Sequence, residues 1–369
     1  MPGLYVHVPF CSVKCFYCDF VAFSGQGRSV DRYLAALERE AALHPGFRPR
    51  TLYVGGGTPT ELDPRQLGTL LRFLSGAFGD LAALREATVE ASPENTDEAK
   101  LEVLRRAGIG RLSFGLQTAE DRLLRDIGRK HTFADFERLC RRASALGFSV
   151  NVDLMLGLPG QTLEDARRSL DRTLELDPDH FSVYPLRVED RTLFAKRAVR
   201  ADEDLEREMM EGAAARLASA GYRHYEISNY AKPGRESRHN VNYWLDGPYL
   251  GLGCGAAGHL RGLRTQNEDR LSSYLERVEK GELPVRYSER LRGKEKLGET
   301  LLLGLRLLDG VRPTEAARAA FDPAFARLAR RGLVEPGTGG RLRLTREGVF
   351  LANQAFQEFV PPFQPEDKP

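Results

Sequence analysis

The sequence lacks any uninterrupted apolar run of the roughly 18 residues that a membrane-spanning helix needs. It also lacks a basic-then-apolar leader, and its five cysteines are an odd count. We therefore expect neither a membrane span nor a secreted disulfide framework, and we expect a cytoplasmic chain whose thiols stay reduced. The net charge of +2 gives no indication of a polyanionic partner, and 41% hydrophobic residues suffice for a large core.

Three of the cysteines lie close together near the N-terminus. Cys11, Cys15 and Cys18 have C-x3-C-x2-C spacing and follow an apolar, strand-like run over residues 4–9. Such a loop can bind three irons of a [4Fe-4S] cluster and leave the last iron without a protein ligand. The pattern predicts an iron-sulfur centre with one iron open to another molecule.

A structural zinc site is the main alternative for these cysteines. His7 lies four residues before Cys11 and would complete a Cys3His set. Against zinc, His7 falls inside the strand-like run, and paired C-x2-C knuckles are absent. Cys140 and Cys254 are isolated and read as small buried apolar side chains.

The order of predicted elements favours an α/β barrel. Apolar or β-branched runs predict strands at residues 4–8, 51–54, 88–91, 111–115, 149–156 and 180–185. Between them, helical periodicity covers residues 30–43, 64–73, 97–107, 133–146 and 163–174. Six alternating βα units are too few for a closed TIM barrel, so we predict an open (β/α)6 partial barrel.

Ligands of such barrels bind at the C-terminal ends of the strands. The predicted strand ends carry Glu90, Ser92, Gln117, Asp153 and Tyr184, and residues 51–60 (TLYVGGGTPT) end a strand in three glycines. Glycine there lets a backbone approach a ligand closely, although a tight turn explains it equally well. Ser92 alone reads as a turn residue before proline and Asp153 as a structural carboxylate, but together the set predicts one ligand site.

The cysteine triad, Tyr17 before Cys18, and the GGGTP turn together resemble the radical S-adenosylmethionine (radical SAM) superfamily. The run at residues 113–132 (SFGLQTAEDRLLRDIGRKHT) is similar to its coproporphyrinogen III dehydrogenase (HemN) branch. The resemblance implies a [4Fe-4S] cluster on the three cysteines, with S-adenosylmethionine chelating the open iron. It implies cofactor-binding roles for the residues Tyr5, Tyr17, Gly56, Gly57, Thr58, Glu90, Gln117, Arg129 and Asp153.

Two departures separate the chain from the porphyrinogen-decarboxylating members. Those members carry a fourth cysteine in a C-x3-C-x2-C-x-C pattern, two positions after the third, whereas Asp19 and Phe20 follow Cys18 here. They also extend further before the matching tyrosine, whereas Tyr5 already lies in the first predicted strand. Both departures lead us to expect a function other than decarboxylation.

A second motif, HNVNYW at residues 239–244, includes the chain's single tryptophan, Trp244. By residue type alone, His239 is a loop or capping histidine and Trp244 a packing residue. However, an imidazole with flat aromatic neighbours also suits haem. The motif resembles that of the haem-chaperone group of the same branch, which implies His239 as ligand of the haem iron. His259, in the glycine-rich run at 251–260, is the minor alternative, and Cys254 in that run is assigned no role.

We expect residues 1–235 to form the barrel, 236–283 a linking segment, 284–360 a small winged-helix-like module, and 361–369 a disordered tail. Residues 281–350 hold 14 Lys and Arg against 9 Asp and Glu, a net of +5 (14 − 9). A basic winged module makes a cluster-dependent DNA-binding regulator one alternative, with Arg327, Arg330 and Arg331 as its test positions. Solvated arginines, or arginines that pair with haem propionates, explain the charge equally well.

The function that the resemblance implies is a haem chaperone. Its cofactors and cargo would be the [4Fe-4S] cluster, S-adenosylmethionine and haem. Its partners would be haem-accepting proteins, either respiratory enzymes or a haem-storage protein. No nucleic-acid partner is expected, while a homodimer and peripheral membrane contact are compatible with the sequence. A coproporphyrinogen III oxidase-like enzyme is the other alternative, and a chaperone role does not require cleavage of S-adenosylmethionine.

Overall fold

The structure, a computed structural model, describes residues 1–363. The predicted tail therefore lies mostly outside the described residues. The described strands are β1 (Gly3–Val8), β2 (Phe10–Cys11), β3 (Phe23–Ser24), β4 (Thr51–Gly56), β5 (Glu86–Ala91), β6 (Arg111–Gln117), β7 (Ser149–Leu156), β8 (His180–Pro185), β9 (Arg223–Glu226), β10 (Asn229–Ala231), β11 (Tyr249–Leu252), β12 (Ala257–Leu260), β13 (Leu263–Asn267), β14 (Val285–Glu289), β15 (Val334–Pro336) and β16 (Leu342–Leu344).

The described α-helices are α1 (Val30–Ala42), α2 (Pro64–Phe78), α3 (Glu98–Arg106), α4 (Asp121–Asp126), α5 (Phe133–Ala145), α6 (Leu163–Leu174), α7 (Leu193–Lys196), α8 (Glu203–Ser219), α9 (Arg238–Trp244), α10 (Leu271–Glu279), α11 (Gly293–Leu305), α12 (Glu315–Arg330), α13 (Arg346–Phe350) and α14 (Ala352–Phe356). Capping side chains determine the residue at which several of these helices begin. Thr132 and Asp135 form a reciprocal capping box on α5, as Thr162 and Asp165 do on α6. In residues 1–363 no helix is both long and apolar enough to cross a membrane.

The predicted (β/α)6 unit is confirmed. The strands β1, β4, β5, β6, β7 and β8 pair in parallel in that order, and helices connect them. The full sheet has 12 strands, because it continues past both ends of this unit. At one end β11 pairs in parallel with β1 and is followed by antiparallel β12, β13 and β14; at the other, β10 and β9 are antiparallel to β8. Residues 236–283, expected as a linking segment, thus form α9, three strands of this sheet and α10.

Side chains alternate between the two faces of the parallel strands. One row across the strands is buried in the helix-covered core and consists of Val6, Val54, Val89, Leu112 and Val150. Neighbouring positions on the opposite face are polar or aromatic and include Tyr5, Tyr53, Glu90, Ser113 and Asn151. Because side chains alternate along each strand, the barrel interior is a polar surface at which a ligand can bind.

The C-terminal residues have a core of their own, built from side chains such as Leu301, Leu305, Phe321, Leu328 and Phe359. Helices α11 and α12 are followed by the antiparallel hairpin of β15 and β16, as the sequence indicates. The winged-helix-like assignment stays a prediction. This module contacts the sheet at β9, where the Leu308 amide donates to the Tyr225 carbonyl at 3.0 Å.

Basic side chains of this module are engaged within the protein. Arg327 forms an ion pair with buried Glu358 at 2.7 Å, and Arg346 pairs with Glu211 of α8 at 2.9 Å. Part of the positive charge of this module is thereby neutralised within the protein.

Candidate functional site

The three cysteines share one anchored loop. Cys11 ends β2, and the Cys18 amide donates to the Cys15 carbonyl at 3.2 Å in the turn that follows. Phe16 fixes the loop from both sides, since its amide donates to Ile127 and its carbonyl accepts from the Phe194 amide. All three thiols are free and half-buried. This loop is the only part of residues 1–363 where three free cysteines occur so close together in sequence.

The surroundings suit thiolates that bind a metal cluster. Burial raises the pKa of the Cys11 thiol to about 11 and raises that of Cys18, so both are protonated at neutral pH in the absence of iron. Ligation must displace these protons. A guanidinium nitrogen of Arg129 lies 3.5 Å from the Cys15 sulfur, so a positively charged side chain contacts the loop. The donors therefore fit an iron-sulfur cluster.

The zinc alternative required His7 as fourth ligand. The His7 Nδ1 lies 2.9 Å from the Tyr5 hydroxyl, and its Nε2 lies 2.7 Å from the Val21 carbonyl oxygen. Across residues 1–363, no three His, Cys, Asp or Glu side chains lie close enough together to bind a single metal ion, and this holds for the three cysteines as well as for His7. Both ring nitrogens of His7 are engaged, so the arrangement does not favour a Cys3His site.

The glycine turn after β4 is tied to the cysteine loop. Gly56 has φ of +110°, and a Cβ on Gly57 would lie 2.7 Å from the Phe10 carbonyl oxygen. The Thr58 amide donates to that carbonyl at 2.8 Å, and its hydroxyl lies 3.5 Å from the Cys11 sulfur. Side chains at these glycines are excluded by the backbone and by close packing. The turn thus presents bare backbone beside the cluster loop.

Two buried carboxyl groups face the same interior. Glu90 accepts hydrogen bonds from the Tyr53 hydroxyl at 2.8 Å and the Gly56 amide at 3.1 Å, and burial raises its pKa to about 7. Asp153 accepts from the Asn151 side chain at 2.8 Å, and burial raises its pKa to about 6. The negative charge of Asp153 also raises the pKa of Glu90, which places the two groups close together. A bound cation, or a bound hydroxyl group that donates hydrogen bonds, would stabilise the ionised form of both carboxyl groups.

Arg129 links the cluster loop to the ends of β5 and β6. One terminal nitrogen donates to the Gly115 carbonyl at 2.5 Å, and Nε lies 3.3 Å from a Glu94 oxygen. The Nε has no hydrogen-bond acceptor in the described part of the chain although it is buried. Gln117, the last residue of β6, has φ of +73°. A non-glycine residue in this region is uncommon and clusters at functional sites.

The two expected tyrosines lie on different elements, Tyr5 in β1 and Tyr17 in the cysteine loop. Tyr5 stacks on Tyr53 with ring centroids 6.4 Å apart, inside the barrel. Tyr17 packs near Phe194, and its pKa is raised by burial and by the adjacent Cys15 thiol. Sequence reasoning missed Tyr53 because it lies in the middle of a strand rather than at its end. Tyr53 and Gly55 are two residues apart in β4 and therefore face the same side of the sheet. That spacing is the sequence signal that could have identified Tyr53 as a site residue.

His239 lies in the first turn of α9, at the opposite end of the barrel from the cysteines. It is fully buried, at 0% exposure. Its Nδ1 lies 2.9 Å from the Thr51 hydroxyl and its Nε2 lies 2.7 Å from the Tyr243 hydroxyl. Burial lowers its pKa to about 3, so the ring is neutral. Neither nitrogen can bind iron until one of these hydrogen bonds breaks, and the role expected of His239 stays a prediction that requires α9 to move.

The fold and the thiol loop define a protein of the radical SAM class. The family model of the radical SAM superfamily matches residues 5–173. Coproporphyrinogen III oxidase (HemN) from Escherichia coli, a radical SAM enzyme, superposes with a TM-score of 0.85 at 26% identity, over 98% of this chain and 90% of that one. This superfamily implies a [4Fe-4S] cluster and S-adenosylmethionine.

More similar sequences identify the family within this class. The haem chaperone HemW of Bacillus subtilis is 37% identical over 98% of this chain and 99% of its own length. HemW of Lactococcus lactis is 35% identical over 96% of each chain, and HemW of Escherichia coli is 40% identical over 69% of each. The chain belongs to the HemW family.

Proposed function

We propose that this protein is a haem chaperone that delivers haem to acceptor proteins, such as respiratory enzymes or a haem-storage protein. The observation that carries the proposal is the full-length similarity to haem chaperones of 35–37% identity. The chain's own departure from the decarboxylase pattern agrees with it, since Phe20 stands where that pattern has its fourth cysteine.

The cluster would be bound by Cys11, Cys15 and Cys18, with one iron left for S-adenosylmethionine. When bound, this pair supplies one-electron chemistry at the sulfonium. The loop would position the thiols, and Arg129, which contacts the Cys15 sulfur, would place a positive charge beside the negatively charged thiolate-bound cluster. Tyr17, in the same loop, packs near Phe194 with ring centroids 6.5 Å apart.

S-adenosylmethionine would lie across the C-terminal ends of the strands. Gly56 and Gly57 offer backbone groups to the methionine part, and Thr58 closes the turn beside them. Glu90 can accept hydrogen bonds from both ribose hydroxyls when ionised. Asp153 lies on the next row of the same face, and its negative charge suits a cationic ligand. Of the other residues that the family resemblance implies, Tyr5, Gln117 and Arg129 border the same interior.

The test combines two ligands on one preparation. Protein with its cluster reconstituted without oxygen is given haemin and, separately, coproporphyrinogen III. The chaperone proposal predicts a stable haem complex and no decarboxylated product. The likeness to HemN, with its TM-score of 0.85, makes coproporphyrinogen III oxidation the competing function. Efficient turnover of coproporphyrinogen III, or failure to bind haem, would contradict the proposal.

A further inference from the structure

A cavity of about 340 Å³ lies beside the HNVNYW segment, between α9, the strands β11–β13 and α11. We call it the Trp244 cavity. Its walls are largely aromatic and apolar, and they include Tyr243, Trp244, Tyr249, His259 and Leu303. Tyr5 also lines it, so the cavity adjoins the interior of the barrel. Concave sites with aromatic walls and few polar groups are typical of sites for planar ligands.

The sheet places three of the lining side chains side by side. Tyr249 on β11 pairs with His259 on β12, and His259 pairs with Arg264 on β13. Directly paired residues point to the same face, so all three face the cavity. The Tyr249 and His259 rings have centroids 6.3 Å apart at 71°. The imidazole is therefore held by the sheet rather than by a flexible loop.

Three polar atoms at this cavity are buried without a hydrogen-bond partner in residues 1–363. They are the Trp244 Nε1, the Asp246 Oδ1 and the His259 Nδ1. His259 is 6% exposed, and its Nδ1 lies 3.5 Å from the Asp246 Oδ1, which is too long for a good hydrogen bond. Burial lowers the pKa of His259, so its ring is neutral and a nitrogen lone pair is available. Buried polar groups are ordinarily satisfied, so the site is incomplete as it stands.

Charges around the cavity nearly cancel. Arg264 pairs with Glu299, and Lys296 contacts both Glu299 and Asp246. A ligand would thus be held by contacts with its apolar faces and by the imidazole. The cationic side chains, already paired with carboxylates, would add little attraction for acidic substituents of the ligand.

We propose that the Trp244 cavity receives part of an iron porphyrin, up to its central iron, and that a ring nitrogen of His259 is the axial ligand. This rests on the proposed function, because it names the site at which that haem is bound. The cavity is at the lower end of the range of about 300–1,000 Å³ for small-molecule sites, so part of the macrocycle stays outside. A partly exposed porphyrin is accessible to an acceptor protein. His259 needs to break no hydrogen bond of its Nδ1, whereas His239 must break one at whichever nitrogen binds.

The experiment is a titration of cluster-loaded protein with ferric haem, read by the haem absorption and magnetic spectra and by the dissociation constant. His259→Gly should lose the imidazole-ligated spectrum and bind haem about tenfold or more weakly, since even residues that only support a metal ligand contribute about 10–100-fold. Added imidazole should restore the spectrum of this variant. Leu303→Trp fills the cavity from α11 and should weaken binding while every histidine remains. His44→Ala, in the segment that follows α1 and outside the cavity lining, is the matched control, and iron-sulfur content reports an intact barrel in each variant.

The outcomes separate this inference from the proposed function. If the wild-type protein binds no haem, the proposed function itself fails. If the wild type binds haem while His259→Gly and Leu303→Trp keep its spectrum and affinity, the Trp244 cavity is not the site and the chaperone proposal stands. Loss of axial ligation in His239→Ala together with an unchanged His259→Gly would assign the ligand to α9 instead.

Discussion

Replacing Glu90 by Gln should stabilise the ligand-free protein and weaken its binding of S-adenosylmethionine. Burial raises the pKa of Glu90 to about 7, whereas its ordinary value, which applies to the unfolded chain, is 4.5. The folded protein thus binds this proton more tightly than the unfolded chain does. The stability that Glu90 contributes is fully present below the unfolded pKa and is lost as the pH rises through 7.

The magnitude follows from this pKa difference. A difference of about 2.5 units at about 1.4 kcal/mol each lowers the free energy of unfolding by about 3 kcal/mol above pH 7. Gln resembles the protonated carboxyl group and avoids this cost, but its single amide oxygen can accept from either Gly56 or Tyr53 and not from both, and the loss of one of these hydrogen bonds costs about 1 kcal/mol. Glu90→Gln should therefore gain about 2 kcal/mol at pH 8 and little at pH 5.

The assay is urea unfolding of reduced, cluster-free protein at both pH values, alongside equilibrium binding of S-adenosylmethionine to the reconstituted protein. Glu40→Gln is the matched control. Burial also raises the pKa of Glu40 to about 7, but this carboxylate accepts from Gly253, Asn267 and Tyr274 on the other side of β1. Its replacement should leave the affinity for S-adenosylmethionine unchanged. A Glu90→Gln variant that is less stable at pH 8 and binds the ligand normally would show that Glu90 is a structural carboxylate.

Three further predictions concern the cluster, the module contact and the glycine turn. Cys15→Ala should reduce iron from about four per reconstituted chain to nearly none in an iron assay, whereas one tightly bound zinc in oxygen-free wild type would refute the cluster. Arg306→Met removes the cation 3.4 Å from fully buried Glu226 and should lower stability by about 3 kcal/mol in denaturant unfolding; a wild-type midpoint would contradict this. Gly57→Ala should weaken S-adenosylmethionine binding because its Cβ meets backbone, and Gly76→Ala, with open space at its Cβ, should not; equal affinities would count against a cradle at this turn.

Local sequence patterns were enough to predict the parallel core of the sheet. Residues 149–156 and 180–185 are apolar runs that end at turns, and they match β7 and β8 residue for residue. The additions at the sheet edges were not predicted. The pairing of β11 with β1 joins segments more than 240 residues apart, and short four-residue strands such as β11 carry little periodicity. Nothing local in either segment specifies that contact.

The candidate site, like the sheet, could be predicted from the sequence only in part. Glu90 and Asp153 could be selected because both lie near strand ends, and the structure brings them to one interior. The position of His239 could not be foreseen, because the motif that marks it says nothing about the Thr51 and Tyr243 hydroxyls that bind its two nitrogens. Those contacts depend on where α9 packs against the end of the barrel, which is a tertiary property.

Transfer of haem to an acceptor tests the central claim most directly. Cluster-loaded protein carrying haem is mixed with a haem-free acceptor, a respiratory cytochrome subunit or a haem-storage protein, and the haem spectrum of the acceptor is followed after the two are separated. The chaperone account predicts that haem appears on the acceptor faster than from an equal concentration of free haem or haem-loaded albumin. Haem that stays on the protein, or an acceptor that fills no faster than from albumin, would contradict it.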